Sequence, residues 1–459
     1  MLLGLDLGSS RIKALVVDAT GRERGAASLA TPFVHGEMAV GELHTALAEV
    51  LARLGDARAQ VAAVGVAGVA ESGAALAADG RPLAPVIAWY DPRGQEVVDR
   101  LLARCGAGLE RAIGQRLRVV SSVAKLGWLV DQGVGPVSRW LGVPELAVQA
   151  LTGRAVTDYS LAARTGAYHL AGRRYLPEVA EAIGVPVSAF AEVAPAGSPL
   201  GAVSGAAARW TGLPAGIPVT LAGHDHLAAR AGCGAEPRDL VNSVGTAETV
   251  VAASALPPDV AAALAHRVAL TLAPAGDGWA LLASAARAGM VLGTVATAIG
   301  SPMEDLDRAA LDAGTIPADE GLIEAALSGS PLPLDTANPA AAWNGVLAAL
   351  AARTWEACDR LLAVLPPAGG AGAGSAGGQG LGSGAGRLIV CGGGSRSLPW
   401  LRAKAAARPD TVVCRAVVGE AVARGAAVTA GVAAGWWPTV GAAPRADLVT
   451  ISPAGNCEP

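Results

Sequence analysis

The stretch Leu3-Gly4-Leu5-Asp6-Leu7-Gly8-Ser9-Ser10-Arg11-Ile12-Lys13-Ala14-Leu15-Val16-Val17-Asp18 decides how this chain is read. An apolar strand runs into an acid, a glycine and two hydroxyls, and a second apolar strand leaves. The pattern predicts a β-hairpin whose turn has the size of a phosphate group. Gly8 admits backbone angles that a side chain forbids. Successive N–H groups and the Ser9 and Ser10 hydroxyls can then face an anion. Asp6, ending a buried strand, is placed to hold a cation through water. The same residues also suit a plain hairpin in which Asp and Ser only form the turn.

Working outward, residues 1–35 read as successive strands turning at Thr20-Gly21. Leu43, Leu47, Val50, Leu51 and Leu54 share one helix face, and Val61 to Ala67 is a short apolar strand. Strands, helix, strand is the order of an α/β domain. Gln95 to Arg104 and Ser122 to Val130 read as amphipathic helices. The turn-rich region 150–220 is expected to insert into the first domain or cap it. A second hairpin pattern follows half a chain later, Leu240-Val241-Asn242-Ser243-Val244-Gly245-Thr246-Ala247-Glu248-Thr249-Val250-Val251. Internal duplication accounts for both: two α/β domains, each offering a phosphate-gripping turn to a shared cleft. Further on, Gly345 to Leu365 reads as a long helix and 368–386, almost all Gly, Ala and Ser, as a flexible surface loop. The strand Arg387 to Cys391 then enters Gly392-Gly393-Gly394-Ser395. Three glycines there either let backbone approach a ligand or only make a tight strand–helix turn. Glu420 to Ala434 reads as a tightly packed helix of small residues.

Composition narrows the classes. At 459 residues and 52% hydrophobic, the chain suits two globular domains. A net charge of −4 and a pI near 5.9 give no electrostatic reason to expect nucleic acid. Cysteines 105, 233, 358, 391, 414 and 457 are scattered without a C-x-x-C, so neither a zinc framework nor a disulfide scaffold is expected, and a reducing cytoplasm fits. No signal peptide is expected, because Asp6 interrupts the first apolar stretch. Gly425 to Pro444 carries no charged residue, yet Gly431, Gly435, Pro438 and Gly441 break it, so it reads as a buried helix and turn and not as a membrane span.

Between the hairpins lies Val219-Thr220-Leu221-Ala222-Gly223-His224-Asp225-His226-Leu227-Ala228-Ala229. An apolar strand ends in Gly-His-Asp-His before a small-residue helix. Asp225 suits a general base that takes a proton from a substrate hydroxyl, or a helix N-cap. His224 suits a substrate hydrogen bond or a satisfied buried histidine. The His224-x-His226 spacing invites a metal, but a zinc site needs a third ligand, and His266, the later histidine, stands in an unpromising context. None of Lys13, Lys125 and Lys404 follows a glycine, so there is no Walker-type P-loop, and there is no G-x-S-x-G elbow.

Together these motifs resemble the FGGY carbohydrate kinases, of the xylulokinase, gluconokinase and glycerol kinase kind. The resemblance runs from residue 2 to about 437. It rests on Asp6 to Lys13, on Val64 to Gly68 running to Trp89-Tyr90-Asp91-Pro92-Arg93, on Lys125 to Leu129, and on Leu151-Thr152-Gly153 with Asp158 to Ala162. It rests further on Gly223-His224-Asp225, Ser243 to Thr246, Gly392 to Ser395 and Glu420 to Ala427. It implies an α/β, two-domain actin-like ATPase (ribonuclease H-like) fold with an interdomain cleft. The implied domains are a sugar and first-phosphate domain over 1–228, a nucleotide domain over 229–440 and a tail over 441–459. The implied activity is ATP-dependent phosphorylation of a sugar, sugar acid or polyol, with Asp225 as base and Asp6 positioning Mg²⁺ through water. Gly8, Ser9, Ser10, Lys13, Gly245, Thr246, Gly392, Gly393, Gly394 and Ser395 would bind ATP. Glu71, Trp89, Asp91, His224 and Asp225 would contact the substrate. A cytoplasmic enzyme is implied, with dimers a family habit and neither nucleic acid nor membrane as partner. The chain departs from the pattern at Val69-Ala70-Glu71, where relatives carry Gln-Met-His or Arg-Glu, and at His226, where Asn or Gln is common. The alternative is a non-catalytic sugar- and ATP-binding regulator on the same fold; the W-x-D-x-R segment speaks against an actin-like filament.

Overall fold

The computed structural model describes residues 1–312, 316–334, 338–367 and 386–453. The expected loop 368–386 therefore lies, Gly386 apart, outside the described residues. The chain forms two compact units: Met1–Gly234 with Ala255–Ala280 and Glu420–Arg445, and Ala235–Ser254 with Leu281–Gly419 and Ala446–Pro459.

In the first unit, strand order across the main sheet is Gly201–Ala202, Pro218–His224, Ala63–Gly68, Leu2–Leu7, Arg11–Val17, Glu23–Ala30. Leu2–Leu7 and Arg11–Val17 make the expected antiparallel hairpin, with Asp6 opposite Lys13. Leu2–Leu7, Ala63–Gly68 and Pro218–His224 run parallel, so their carboxyl ends emerge on one edge. Alternation along the first strand divides its side chains between two layers. Leu3, Leu5 and Leu7 bury against Leu43, Leu47 and Val50 of the helix Val40–Ala52. Leu2 instead packs with Ala423, Ala427 and Ala430 of the helix Ala421–Ala433.

That last helix sits at backbone distance. A Cβ on Gly4 would lie 1.8 Å from the Ala423 carbonyl oxygen, and one on Gly65 would lie 1.9 Å from that of Ala426. On its other side, a Cβ on Gly425 would lie 1.8 Å from the oxygen of Ala228, and one on Gly232 would lie 1.8 Å from that of Ala421. The expected small-residue helix is thus present, and it belongs to the first unit, not to the expected nucleotide domain. The contiguous boundary at 228/229 does not follow this packing. Nor does 441–459 behave as a tail: Leu448–Thr450 pairs antiparallel with Val413–Ala416 in the second unit.

The second unit repeats the strand plan of the first. Within it neighbouring strands run Glu248–Ser254, Leu240–Val244, Leu388–Cys391, Val413–Ala416, Leu448–Thr450. Leu240–Val244 and Glu248–Ser254 form an antiparallel hairpin. Leu388–Cys391 lies parallel beside the hairpin's first strand, as Ala63–Gly68 does in the first unit. The long helix spans Pro339–Leu362, beginning six residues before the expected Gly345, because Asn338 caps it through Ala341 N–H and Pro339 suits its first turn.

Substituting Gly65→Ala puts a methyl group against backbone that has no rotamer to yield. Urea denaturation should show a loss of about 3 kcal/mol or more, whereas Gly41→Ala, with nothing within 4 Å, should change stability little.

Candidate active site

Three parallel strand ends build the site of the first unit. Asp6 sits one residue before the end of Leu2–Leu7, Glu71 follows Ala63–Gly68, and Asp225 follows Pro218–His224. In register, Asp6 is beside Ala67 and His224 beside Gly68. Ligands in α/β proteins gather at such carboxyl edges.

Asp225 opens the helix Asp225–Gly232, with His224 in the N-cap position and no side-chain cap bond. Its Oδ1 accepts the His226 backbone N–H at 2.7 Å and lies 3.1 Å from His224 Nε2. Burial alone would raise its pKa, yet His226, His224, that N–H and Arg164 hold it below the ordinary carboxylate value. The group is ionised and able to accept a proton. His224 is buried, and burial pushes its pKa down to about 3, so its ring is neutral.

A six-residue helix, Tyr159–Arg164, holds this strand end in place. Asp158 caps it by accepting the N–H groups of Ser160 and Leu161 and the Ser160 hydroxyl. Ser160 Oγ in turn accepts the His224 backbone N–H at 3.0 Å. Gly223, at φ 87°, must be glycine there, since a Cβ would lie 2.6 Å from Ser160 Oγ. The same helix ends in Arg164, whose Nε donates to Glu71 Oε1 at 2.7 Å and whose Nη1 donates to Gln115 Oε1 at 2.6 Å. Glu71, its side chain largely covered, sits at a positive φ of 68°, a costly conformation for a side-chain residue. Burial raises its pKa against the pull of Arg164. Sequence reading found Glu71 but missed Ser160 and Arg164; the Asp-Tyr-Ser cap at 158–160 was the available signal.

Asp6 carries an excess of negative charge around it. Burial, with Asp225 and Glu420, raises its pKa to about 7 against the lowering effect of Lys13. Lys13 Nζ lies 2.7 Å from Glu420 and 3.6 Å from Asp6. Asp6 and Glu420 facing one ammonium, with Asp225 adding negative charge near Asp6, form an oxygen-rich setting that fits a hard divalent cation. In the adjoining turn, Thr31 donates its hydroxyl to Gly8 O at 2.6 Å and its N–H to Ser10 O at 3.0 Å. Gly8 does not adopt a positive φ, contrary to expectation. Close approach is its reason instead, as a Cβ would lie 3.0 Å from Arg11 O.

The other expected substrate residues divide. Trp89 stays near Glu71, its backbone N–H donating to Ser72 Oγ at 2.8 Å. Asp91 gives both carboxylate oxygens to Arg93, each at 2.8 Å, and this bond outweighs burial and keeps its pKa low. Arg93 also reaches Glu37, and the buried Lys125 donates to the carbonyls of Asp91 and Arg93. The Asp91–Arg93 segment is thereby braced from within.

In the second unit the two expected nucleotide turns meet at Val244. A Cβ on Gly392 would lie 2.4 Å from Val244 O, and one on Gly394 would lie 2.4 Å from its Cγ1. Ser395 turns its hydroxyl inward, to Gly392 O at 2.7 Å. Gly289, in the helix Ala288–Ile299, closes on the same place, since its Cβ would lie 2.5 Å from Gly245 O. Beneath the Gly245-Thr246 turn, the fully buried Lys404 donates to Asn242 Oδ1 and Glu248 Oε1 at 2.6 Å and to Thr354 Oγ1 at 2.8 Å. Lys404 thus ties both hairpin strands to the long helix, a role that its position alone did not reveal.

Comparison with known proteins places this geometry. The profile of the FGGY family of carbohydrate kinases, N-terminal domain, matches residues 1–232. The L-fuculokinase of Escherichia coli K12 is 31% identical over 278 residues, covering 56% of this chain and 57% of that protein. The chain therefore matches little more than half the length of that relative. The xylulose kinase structure from Rhodospirillum rubrum superimposes with a TM-score of 0.77 at 22% identity, covering 98% of this chain and 94% of that one. The Plasmodium falciparum glycerol kinase with ADP gives 0.75 at 18% identity, covering 97% and 92%. These likenesses establish the fold as the α/β, two-domain actin-like ATPase fold. No described helix is long and apolar enough to cross a membrane.

Two measurements probe the buried charges. Lys404→Met strands Glu248 without its cation and should cost about 3–5 kcal/mol in chemical denaturation. Glu145, beside a cavity of about 20 Å³ next to Glu71, has its pKa raised by burial to about 7. A carboxyl raised on folding stabilises below its unfolded value near 4.5 and loses that contribution as pH rises through about 7. Glu145→Gln should therefore flatten the fall of the urea midpoint across that window.

Proposed function

This chain belongs to the FGGY family of carbohydrate kinases, and we propose that it transfers the γ-phosphoryl group of ATP to a hydroxyl of a sugar, sugar acid or polyol. The observation that carries this reading is Asp225: an ionised carboxylate at a parallel-strand end, with the backbone of the preceding His224 pinned through Ser160, beside the buried Glu71–Arg164 pair. Asp225 takes the acceptor hydroxyl proton, the hydroxyl oxygen forms a bond to the γ-phosphorus, and the bond from that phosphorus to the bridging oxygen of ADP breaks. Positioning and charge stabilisation carry such a transfer. Glu71, held by Arg164, and Trp89 bind the acceptor, and His224 offers its neutral ring. The turn Gly8-Ser9-Ser10 and the turn Gly245-Thr246 take phosphate oxygens, while Gly392-Gly393-Gly394 gives the nucleotide close access to backbone.

Asp6, with Glu420 and Asp225 adding to its negative surroundings, would hold Mg²⁺ through water. When bound, the ion supplies charge neutralisation on the phosphates. Lys13, fixed between Asp6 and Glu420, orients these carboxylates.

ADP release with Mg-ATP is the test, across L-fuculose, D-xylulose, glycerol, aldonates and further polyols. The L-fuculokinase and glycerol kinase relatives put L-fuculose and glycerol first. Asp225→Asn should lower kcat at least about 10²-fold with ATP binding retained. Turnover that survives this substitution removes Asp225 from the mechanism. ATP binding without turnover on any acceptor favours the regulator instead.

A further inference from the structure

We propose that His224, Asp225 and His226 form a binding site for a borderline dication of the zinc class, and that its occupation weakens the base. The sequence offered two histidines without a third ligand. The structure supplies Asp225 itself: one ligand atom from each of the three residues lies within 4.8 Å of the others. His224 Nε2 is 3.1 Å and His226 Nδ1 is 3.9 Å from Asp225 Oδ1. Two ligand bonds of about 2.0 Å at a tetrahedral angle set donor atoms about 3.3 Å apart, so the His224 spacing suits a shared ion as it stands and His226 must close by about 0.6 Å to join it.

The His226 spacing carries the most weight. At 3.9 Å it is too long for a hydrogen bond, and His226 Nδ1 has no other partner. It is a buried nitrogen beside a carboxylate oxygen, and a shift of about 0.6 Å lets both reach one ion. His224, nine-tenths buried, likewise has an unpartnered Nδ1. Coordination through His224 Nε2 needs only that the ring proton sit on the unpartnered Nδ1, so the ring stays neutral. Two imidazoles and one carboxylate favour zinc over magnesium, which prefers oxygen donors. The site is therefore chemically distinct from the oxygen-rich setting at Asp6.

Three protein ligands leave a fourth position open to water or an acceptor hydroxyl. A cation on Asp225 Oδ1 withdraws charge from the whole carboxylate, so its other oxygen takes the hydroxyl proton less readily. The inhibitory consequence rests on Asp225 being the base; the binding does not.

Zinc titration of the untagged full chain, without ATP or sugar, followed by calorimetry and by thermal shift, tests the site. One equivalent should bind saturably and raise Tm, and cobalt should give the visible absorption of a four-coordinate nitrogen and oxygen site. His226→Asn and Asp225→Asn should each weaken binding at least about 10-fold. Circular dichroism of both variants keeps a folding defect separate. Absence of saturable binding below ~100 µM, or equal binding in both folded variants, overturns the proposal. Failure of the kinase reading would show separately, as wild-type protein that binds zinc but turns over no acceptor in its absence.

Discussion

Everything in the first unit depends on one close contact, that of the helix Ala421–Ala433 with a floor of glycines. Gly4 and Gly65 on adjacent parallel strands leave no room for a side chain, and Gly232 and Gly425 do the same between two helices. With backbone touching backbone, small errors in position have no flexible side chain to absorb them. The contact fixes the two strands whose ends carry Asp6 and Glu71, and it seats the helix that begins at Asp225. It also delivers Glu420, one residue before the helix, to Lys13. Precision at the candidate site is thus inherited from a layer of backbone packing.

A second layer works by hydrogen bonds. The helix Tyr159–Arg164 reaches Gly223-His224 with Ser160 and Glu71 with Arg164. The strand end at His224-Asp225 and the Glu71 carboxylate are consequently set by one piece only six residues long. The second unit uses a different device, a buried ammonium that draws a carboxylate, an amide and a hydroxyl to one point below its turn. Desolvation makes that ammonium costly alone, and the three short bonds offset the cost.

Both hairpins were legible because strand alternation and turn chemistry are local signals. Asp6 to Lys13 and Val244 to Glu248 fall where the pattern put them, as do the strand and helix either side of His224-Asp225. Less legible were contacts between residues far apart in the chain. Arg164 finds Glu71 across 93 residues and Lys404 finds Asn242 across 162, and no spacing rule announces either. The run of small residues after Glu420 announced tight packing without saying against what. Gly8 was identified for the wrong reason, since its turn needs closeness and not a left-handed angle.

Return of residues 420–445 to the first unit also has a consequence for synthesis. A ribosome finishes the strands Leu2–Leu7 and Ala63–Gly68 more than 300 residues before the helix that covers their glycine face. Until then Leu2, Leu15 and Val17 lack their cover. The nascent unit must wait with one apolar face open while residues 281–419 of the other are made, a long-range closure of the kind that slows folding and exposes chains to aggregation.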